Sequence, residues 1–282
     1  MKIVTLVENH TDNDLQCEHG LAFYIEWGGN KFLLDAGQSG IFAENAKCLG
    51  VDIECVDYAI LSHGHYDHAC GFEVFAQKNP SALVYMQKSA VQHYFSKKCD
   101  GWKDIGIPTR VLDSLRGRIC YVDGKQQIAE GVFLMSRCKG DLQAQGKQMQ
   151  MYRKQDGVFV FDDFSHEQSL VFEGKNGLVI FNSCCHGGVD AILEEVLSAF
   201  PGKKVLAVLG GFHLMGAEGP DSMRDSEAEV RLLGEKLCRL PVDKFYTGHC
   251  TGGKAYSVLK EVLGDRLDCL VTGRVIEICE NS

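Results

Sequence analysis

The sequence is short of positive charge. Its formal net charge is −9, and that deficit of Lys and Arg excludes a sequence-independent grip on nucleic acid. The basic stretch "YRKQ" at 152–155 is too small to reverse this. No apolar run approaches the roughly 18 residues that a membrane-spanning helix needs. The opening "MKIVTLVENHTD" soon turns polar, so no secretory leader is expected and the cytoplasm is the expected location. There are 13 Cys but no C-x-x-C, which removes thioredoxin-like redox chemistry and the usual structural zinc knuckles. Apart from the pair Cys184–Cys185 the cysteines are scattered singly, as expected in a reducing compartment where most act as small buried hydrophobes. Neither a short-period repeat nor a low-complexity tract is present.

What remains is an ordinary globular composition, 45% hydrophobic and 24% charged, over 282 residues expected to form one domain spanning 1–282. The first half opens on β-rich runs at 2–8, 21–27 and 31–37, the last two joined by a "GGN" hairpin turn at 28–30. A helix over 41–50, a strand over 56–62, a helix over 68–80, a strand at 83–86 and a helix near 88–96 follow. Short β-rich pieces are expected at 118–122 and 132–136, and a loop over 139–156, where apolar periodicity is weak. The second half has a similar arrangement. It opens on a hairpin of 169–174 and 178–183, then helices at 189–200, 222–239 and 254–263 alternate with strands at 204–211 and 243–248, with terminal strands beyond. Hairpins followed by alternating strands and helices predict an α/β fold with two sheets face to face and helices outside, a four-layer α/β/β/α sandwich.

The chemistry is concentrated in "YAILSHGHYDHACG" at 58–71. Three of the chain's 10 His, His63, His65 and His68, stand there with Asp67, directly after a predicted buried strand. Side chains two apart on an extended segment point the same way, so His63 and His65 can reach one metal ion together. Asp67 and His68, on the turning segment beyond, can reach a second. Imidazole with carboxylate suits a binuclear hydrolytic site; a solvent-exposed loop with chance histidines is the competing account.

"SHGHYDHACG" resembles the H-x-H-x-D-H signature of the metallo-β-lactamase superfamily, whose fold is the sandwich predicted above. "FLLDAG" at 32–37 resembles the superfamily's early motif, which implies that Asp35 supports the metal loop. "TGHC" at 247–250 resembles the final metal-binding histidine, implying His249 as a ligand; its flanking glycines leave room for an ion or a phosphate. More closely, "DFSHEQSLVF", "NSCCHGG", "LGGFHL" and "YTGHCTG" resemble the subgroup of dihydropterin–aminobenzene-phosphate synthases, which join a dihydropterin diphosphate to a ribofuranosyl-aminobenzene phosphate. Where the superfamily places a bridging Asp at a strand end, this chain has Cys184, read as a neutral thiol with a ligand role as the alternative. His186, two residues on, is inferred to replace the missing ligand, with His166 as its competitor.

The resulting expectation is two divalent ions, zinc first and manganese or iron as alternatives, held by His63, His65 and His186 and by Asp67, His68 and His249. Asp67 and His213 are the candidate catalytic residues; Glu8, Asn9, His166 and His213 are the candidate substrate contacts. His10, His19 and His93 carry no such context and are expected at the surface. The expected activity is metal-dependent hydrolysis of a small anionic ester-type substrate. Its alternatives are the synthase reaction, a transferase chemistry, and a metal- or ligand-binding sensor without turnover. No nucleic acid or membrane partner is expected, and the oligomeric state is not readable.

Overall fold

Two runs of strands, each ending in apolar segments buried on both faces, build the molecule. The computed structural model describes residues 1–98, 101–136 and 141–279. One seven-stranded sheet has the spatial order Val275–Glu277, Lys2–Val7, Ala22–Trp27, Asn30–Leu34, Tyr58–Ile60, Leu83–Gln87, Ile119–Val122. The other, also seven-stranded, runs Leu267–Cys269, Val242–Thr247, Val205–Leu209, Leu178–Phe181, Gln168–Glu173, Val132–Ser136, Lys125–Ala129. Each sheet is antiparallel through its hairpins and parallel beyond them. Antiparallel neighbours need only a tight turn, whereas each parallel step needs a crossover, which is where the helices enter.

Burial divides into three layers. Phe23, Phe32, Phe172, Phe181, Leu134 and Leu209 fill the space between the sheets. Phe42, Phe72 and Phe75, from helices Ile41–Cys48 and Phe72–Lys78, cover the outer face of the first sheet. Ile192, Leu193, Leu237, Leu259 and Leu263, from helices Val189–Ala199, Glu227–Arg239 and Gly253–Leu263, cover the second. This is the α/β/β/α order. The topology matters for function because open parallel strands collect ligands at their carboxyl ends. The segments carrying Asp35, His63, His186, His213 and His249 all follow such ends.

Three local expectations need correction. No helix covers 88–96: a single 3-10 turn at Lys88–Val91 gives way to strand Tyr94–Lys98. Its aromatic, β-favouring start pairs with strand Met151–Gln155, and that partner decides the outcome. The expected loop over 139–156, of which 139 and 140 lie outside the described residues, contains helix Leu142–Met149 and that same strand. Asp141 caps the helix by accepting from the Ala144 N–H at 3.1 Å, and its Leu, Ala, Gln, Lys and Met content favours helix despite weak amphipathicity. The helix expected from 222 begins only at Glu227. There Ser226 and Glu229 form a reciprocal capping box, and Gly219–Met223 before it is a strand. Strands Tyr94–Lys98, Gly101–Asp104, Met151–Gln155 and Val158–Phe161 form a separate four-stranded sheet. Tyr94 from this sheet packs on the His166 ring at 4.1 Å.

Candidate metal centre

After strand Tyr58–Ile60 the chain bends at His63 and Gly64, the His65 N–H donating back to the His63 carbonyl at 3.0 Å, so a tight turn and not the expected extended segment brings the two rings together; a short helix, Tyr66–Ala69, then carries Asp67 and His68. His186 arrives from beyond strand Leu178–Phe181 and His249 from beyond Val242–Thr247. All five imidazoles are at most 4% exposed, and Asp67 is 8% exposed. His249, with Asp35, Cys185 and His213, has left-handed backbone (φ between 49° and 58°), a conformation that costs energy in residues other than glycine and clusters at functional sites.

Two sets of donors converge. A nitrogen from each of His63, His65 and His186 lies within 4.8 Å of the other two. The Nε2 atoms of all three are buried and without a hydrogen-bond partner. Three orphaned buried nitrogens facing one space are costly unless something fills it, and a cation accepts all three lone pairs. In the second set, His68 Nε2 lies 3.1 Å from His249 Nε2 and 3.6 Å from Asp67 Oδ2, and His249 Nε2 lies 3.5 Å from that oxygen. Metal–ligand bonds of about 2.1 Å in a tetrahedron separate neighbouring ligand atoms by about 3.4 Å. The second set matches that spacing, and the first lies inside a 4.8 Å bound compatible with it.

Outer contacts fix which nitrogen faces inward in His63, His68, His186 and His249. Asp35 accepts from the Ser62 N–H and hydroxyl, both at 2.7 Å, and its Oδ2 lies 2.8 Å from His68 Nδ1. The same Ser62 hydroxyl lies 2.8 Å from His63 Nδ1, so one carboxylate holds two rings by Nδ1 and turns both Nε2 atoms inward. Glu167 does the same for His186, 2.9 Å from both its Nδ1 and its backbone N–H. Asn9 Oδ1 meets His249 Nδ1 at 2.9 Å, and Glu8 accepts from the His249 N–H and, at 2.7 Å, from the His10 N–H.

Charge follows burial. Burial, then the neighbouring rings, drives His63 well below its ordinary value; burial likewise drives down His65 and His186. Burial lowers His249 to about 4 against the pull of Asp67. For His68 burial is overcome by Asp67 and Asp35, which raise it to about 9. Burial would raise Asp67 too, but His68 and the bonds from His19 and His249 hold its carboxyl well below the usual range. Four of the five imidazoles are thus neutral near pH 7 and ready to ligate. Glu8 is pushed up to about 7 by burial.

The remaining candidates sit close by. His166 is fully buried with both nitrogens engaged: Nδ1 accepts from the Gly64 N–H and Nε2 meets Asp162, each at 3.0 Å. Its position is that of a ring bracing the His63–His65 loop. The His213 ring lies 4.4 Å from that of His186. Cys184 Sγ reaches within 3.3 Å of His68 Nε2; burial, then Cys250, holds this thiol well above its ordinary value. Three neighbours are not evident from the sequence pattern. His19, expected at the surface, is 42% exposed along its side chain, yet its Nε2 lies 3.3 Å from Asp67 Oδ2. Glu167 is signalled only by its place next to His166 at the start of a buried strand. Cys250, next to His249, shares a donor cluster with Cys184 and His213.

The family model of the metallo-β-lactamase superfamily matches residues 15–131, the part that carries His63 to His68. The chain has the metallo-β-lactamase fold. It is 27% identical to a 7,8-dihydropterin-6-methyl-4-(β-D-ribofuranosyl)-aminobenzene-5'-phosphate synthase of Methanocaldococcus jannaschii, over 98% of this chain and 96% of that one. A crystal structure described as a metal-dependent hydrolase of the β-lactamase superfamily superposes with a TM-score of 0.85 at 26% identity, covering 99% of this chain and 100% of the other. Zinc-bound PqqB from Methylobacterium extorquens shares this metallo-β-lactamase fold at 10% identity, with a TM-score of 0.61 over 99% and 100% of the two chains. Among the described residues no helix is long and apolar enough to cross a membrane.

Proposed function

We propose that the chain is a metal-dependent hydrolase acting on a small anionic ester-type substrate, with one ion held by His63, His65 and His186 and a second by Asp67, His68 and His249. The observation that carries the proposal is the trio of buried, unpartnered Nε2 atoms. Divalent ions bound there, zinc above all, supply Lewis acidity and a water acidic enough to ionise near neutral pH. Asp67, ionised and beside His68 and His249, orients the attacking water, and Asp35 and Glu167 keep the rings in the ligating tautomer. His213 stands beside His186 as the proton carrier. Glu8 and Asn9 hold the His249 loop and reach substrate from there, and His166 braces the opposite loop.

A cavity of about 200 Å3 opens beside His186, lined by Gln148, Met149, Phe212 and Arg224 among others. Arg224, ion-paired with Asp225 at 2.6 Å, keeps its Nη1 buried and unpartnered at the edge of this cavity, whose lining also includes Asp190 and Glu229. A larger cavity, about 690 Å3, lies at the Gly28–Gly29 turn, the opposite end of the strands from the histidines. A single polypeptide domain, 1–282, working in the cytoplasm completes the proposal.

The second reading is the synthase reaction, a transfer onto an aminobenzene partner with loss of diphosphate. The near full-length 27% match favours it. The same ion pair would then hold the diphosphate. Purified protein with bound metal, offered simple phosphodiesters, lactones and thioesters, separates the two. Turnover of one of them with water supports hydrolysis. Diphosphate release that requires both a dihydropterin diphosphate and the aminobenzene partner supports synthesis. Full metal loading with neither reaction would leave the sensor reading standing.

A further inference from the structure

Beyond the two histidine-lined positions lies a third donor cluster, whose two thiols neither proposed reaction uses and whose His213 nitrogen, once it ligates a cation there, no longer carries a proton. Cys184 Sγ, Cys250 Sγ and a ring nitrogen of His213 lie within 4.8 Å of one another. The residues come from three different strand ends, after Leu178–Phe181, Val205–Leu209 and Val242–Thr247, so the fold and not local sequence assembles them. Both cysteines are at most 4% exposed, and His213 Nδ1 is buried without a hydrogen-bond partner. The backbone is shaped for this approach. Gly211 passes over Cys250 so closely that a Cβ there would lie 2.4 Å from the sulfur. His213 adopts left-handed backbone, φ 50°, to turn back toward the site.

We propose that Cys184, Cys250 and His213 form a sulfur-rich site for a thiophilic d10 cation, zinc(II) in the resting protein, adjoining the histidine-lined pair. Two thiolates and an imidazole are a donor set selective for zinc or copper(I) over manganese or magnesium. Zinc–sulfur bonds of about 2.3 Å place two sulfurs about 3.8 Å apart in a tetrahedron, compatible with the 4.8 Å bound inside which all three donors lie. A coordinating thiol loses its proton outright, so occupancy supplies two negative charges next to the cationic centre. Cys184 is the link: its sulfur also stands 3.3 Å from His68 Nε2, so it borders both the new site and the second histidine-lined position. Three protein donors leave the fourth coordination position open.

The test uses reduced, chelator-stripped protein reloaded with zinc(II) alone and, separately, with cobalt(II) alone. Zinc per chain is read by atomic absorption after dialysis, and cobalt–thiolate bonding by its near-ultraviolet charge-transfer band. The expected result is a third zinc equivalent in the wild-type protein that is lost in both Cys250→Ser and His213→Ala. The cobalt band should weaken in Cys250→Ser and persist in His65→Ala. Saturation of the wild type at two equivalents, or a stoichiometry and band unchanged in Cys250→Ser and His213→Ala, overturns the proposal. A band lost only in Cys184→Ser also overturns it, since the sulfur would then serve the histidine-lined centre alone. The histidine-lined centre is judged separately, by the zinc that His65→Ala loses.

Discussion

Replacing Asp35 by Asn tests the logic of the centre at one atom. The backbone there is left-handed, φ 58°, a conformation that Asn tolerates as well as Asp, so the exchange costs little locally. The Asn side-chain oxygen can still accept from the Ser62 N–H. Its amide nitrogen, however, replaces the oxygen that sits 2.8 Å from His68 Nδ1, setting donor against donor. Relief comes only if His68 moves its proton to Nε2, the atom that must face the ion as a lone pair. Loss of such an outer partner weakens metal affinity by about 10- to 100-fold, or about 1.4–2.8 kcal/mol. Competition against a fluorescent zinc chelator resolves this. The class of site containing His68 should weaken by that factor, and the class containing His63, which the same carboxylate oxygen reaches only through the Ser62 hydroxyl, should weaken less. Equal affinity of the Asp35→Asn variant and wild type at both classes would refute the tautomer argument.

Other outcomes follow from the same geometry. His65→Ala should retain one ion fewer than wild type by atomic absorption and lose turnover, with its fold intact by circular dichroism. Binding at the second position should release one proton, from His68, and strengthen about tenfold per pH unit up to about pH 9, where it levels off. Ion-free protein should behave oppositely. His68 is raised from its ordinary value to about 9, so its stabilisation is complete below about pH 6.5 and lost as pH rises through about 9, visible in melting curves of stripped protein. Stripping zinc present at about 1,000 times its Kd should remove about 4 kcal/mol of stability, a fall in Tm of several degrees in calorimetry. Gly71→Ala should destabilise by at least about 3 kcal/mol in urea titration, because the added Cβ would sit 1.9 Å from the Ala36 carbonyl oxygen, with backbone on both sides.

Much of the fold was legible because its signals are local. The "GGN" turn, the buried strand before His63 and the amphipathic spacing of Val189–Ala199 are each contained in a few residues. Helix Leu142–Met149 escaped because it has little apolar periodicity, and strand Tyr94–Lys98 because one of its two partners lies more than 50 residues downstream. The site divides the same way. His63, His65, Asp67 and His68 announce themselves by spacing, but the approach of His186 and His249 needed the superfamily resemblance. His19 beside Asp67, and Cys250 beside Cys184, depend on contacts between strand ends far apart in sequence, which no window of residues encodes. Glu167 was readable in principle: an acid next to His166, at the start of a buried strand, is a poor fit to that position unless it is bonded.

The most direct check is a crystal structure of the zinc-loaded protein with anomalous scattering recorded at the zinc edge. One peak should lie at bonding distance from Nε2 of His63, His65 and His186, and another from His68 Nε2, His249 Nε2 and Asp67. Zinc bound elsewhere, with those nitrogens left facing one another, would contradict the account.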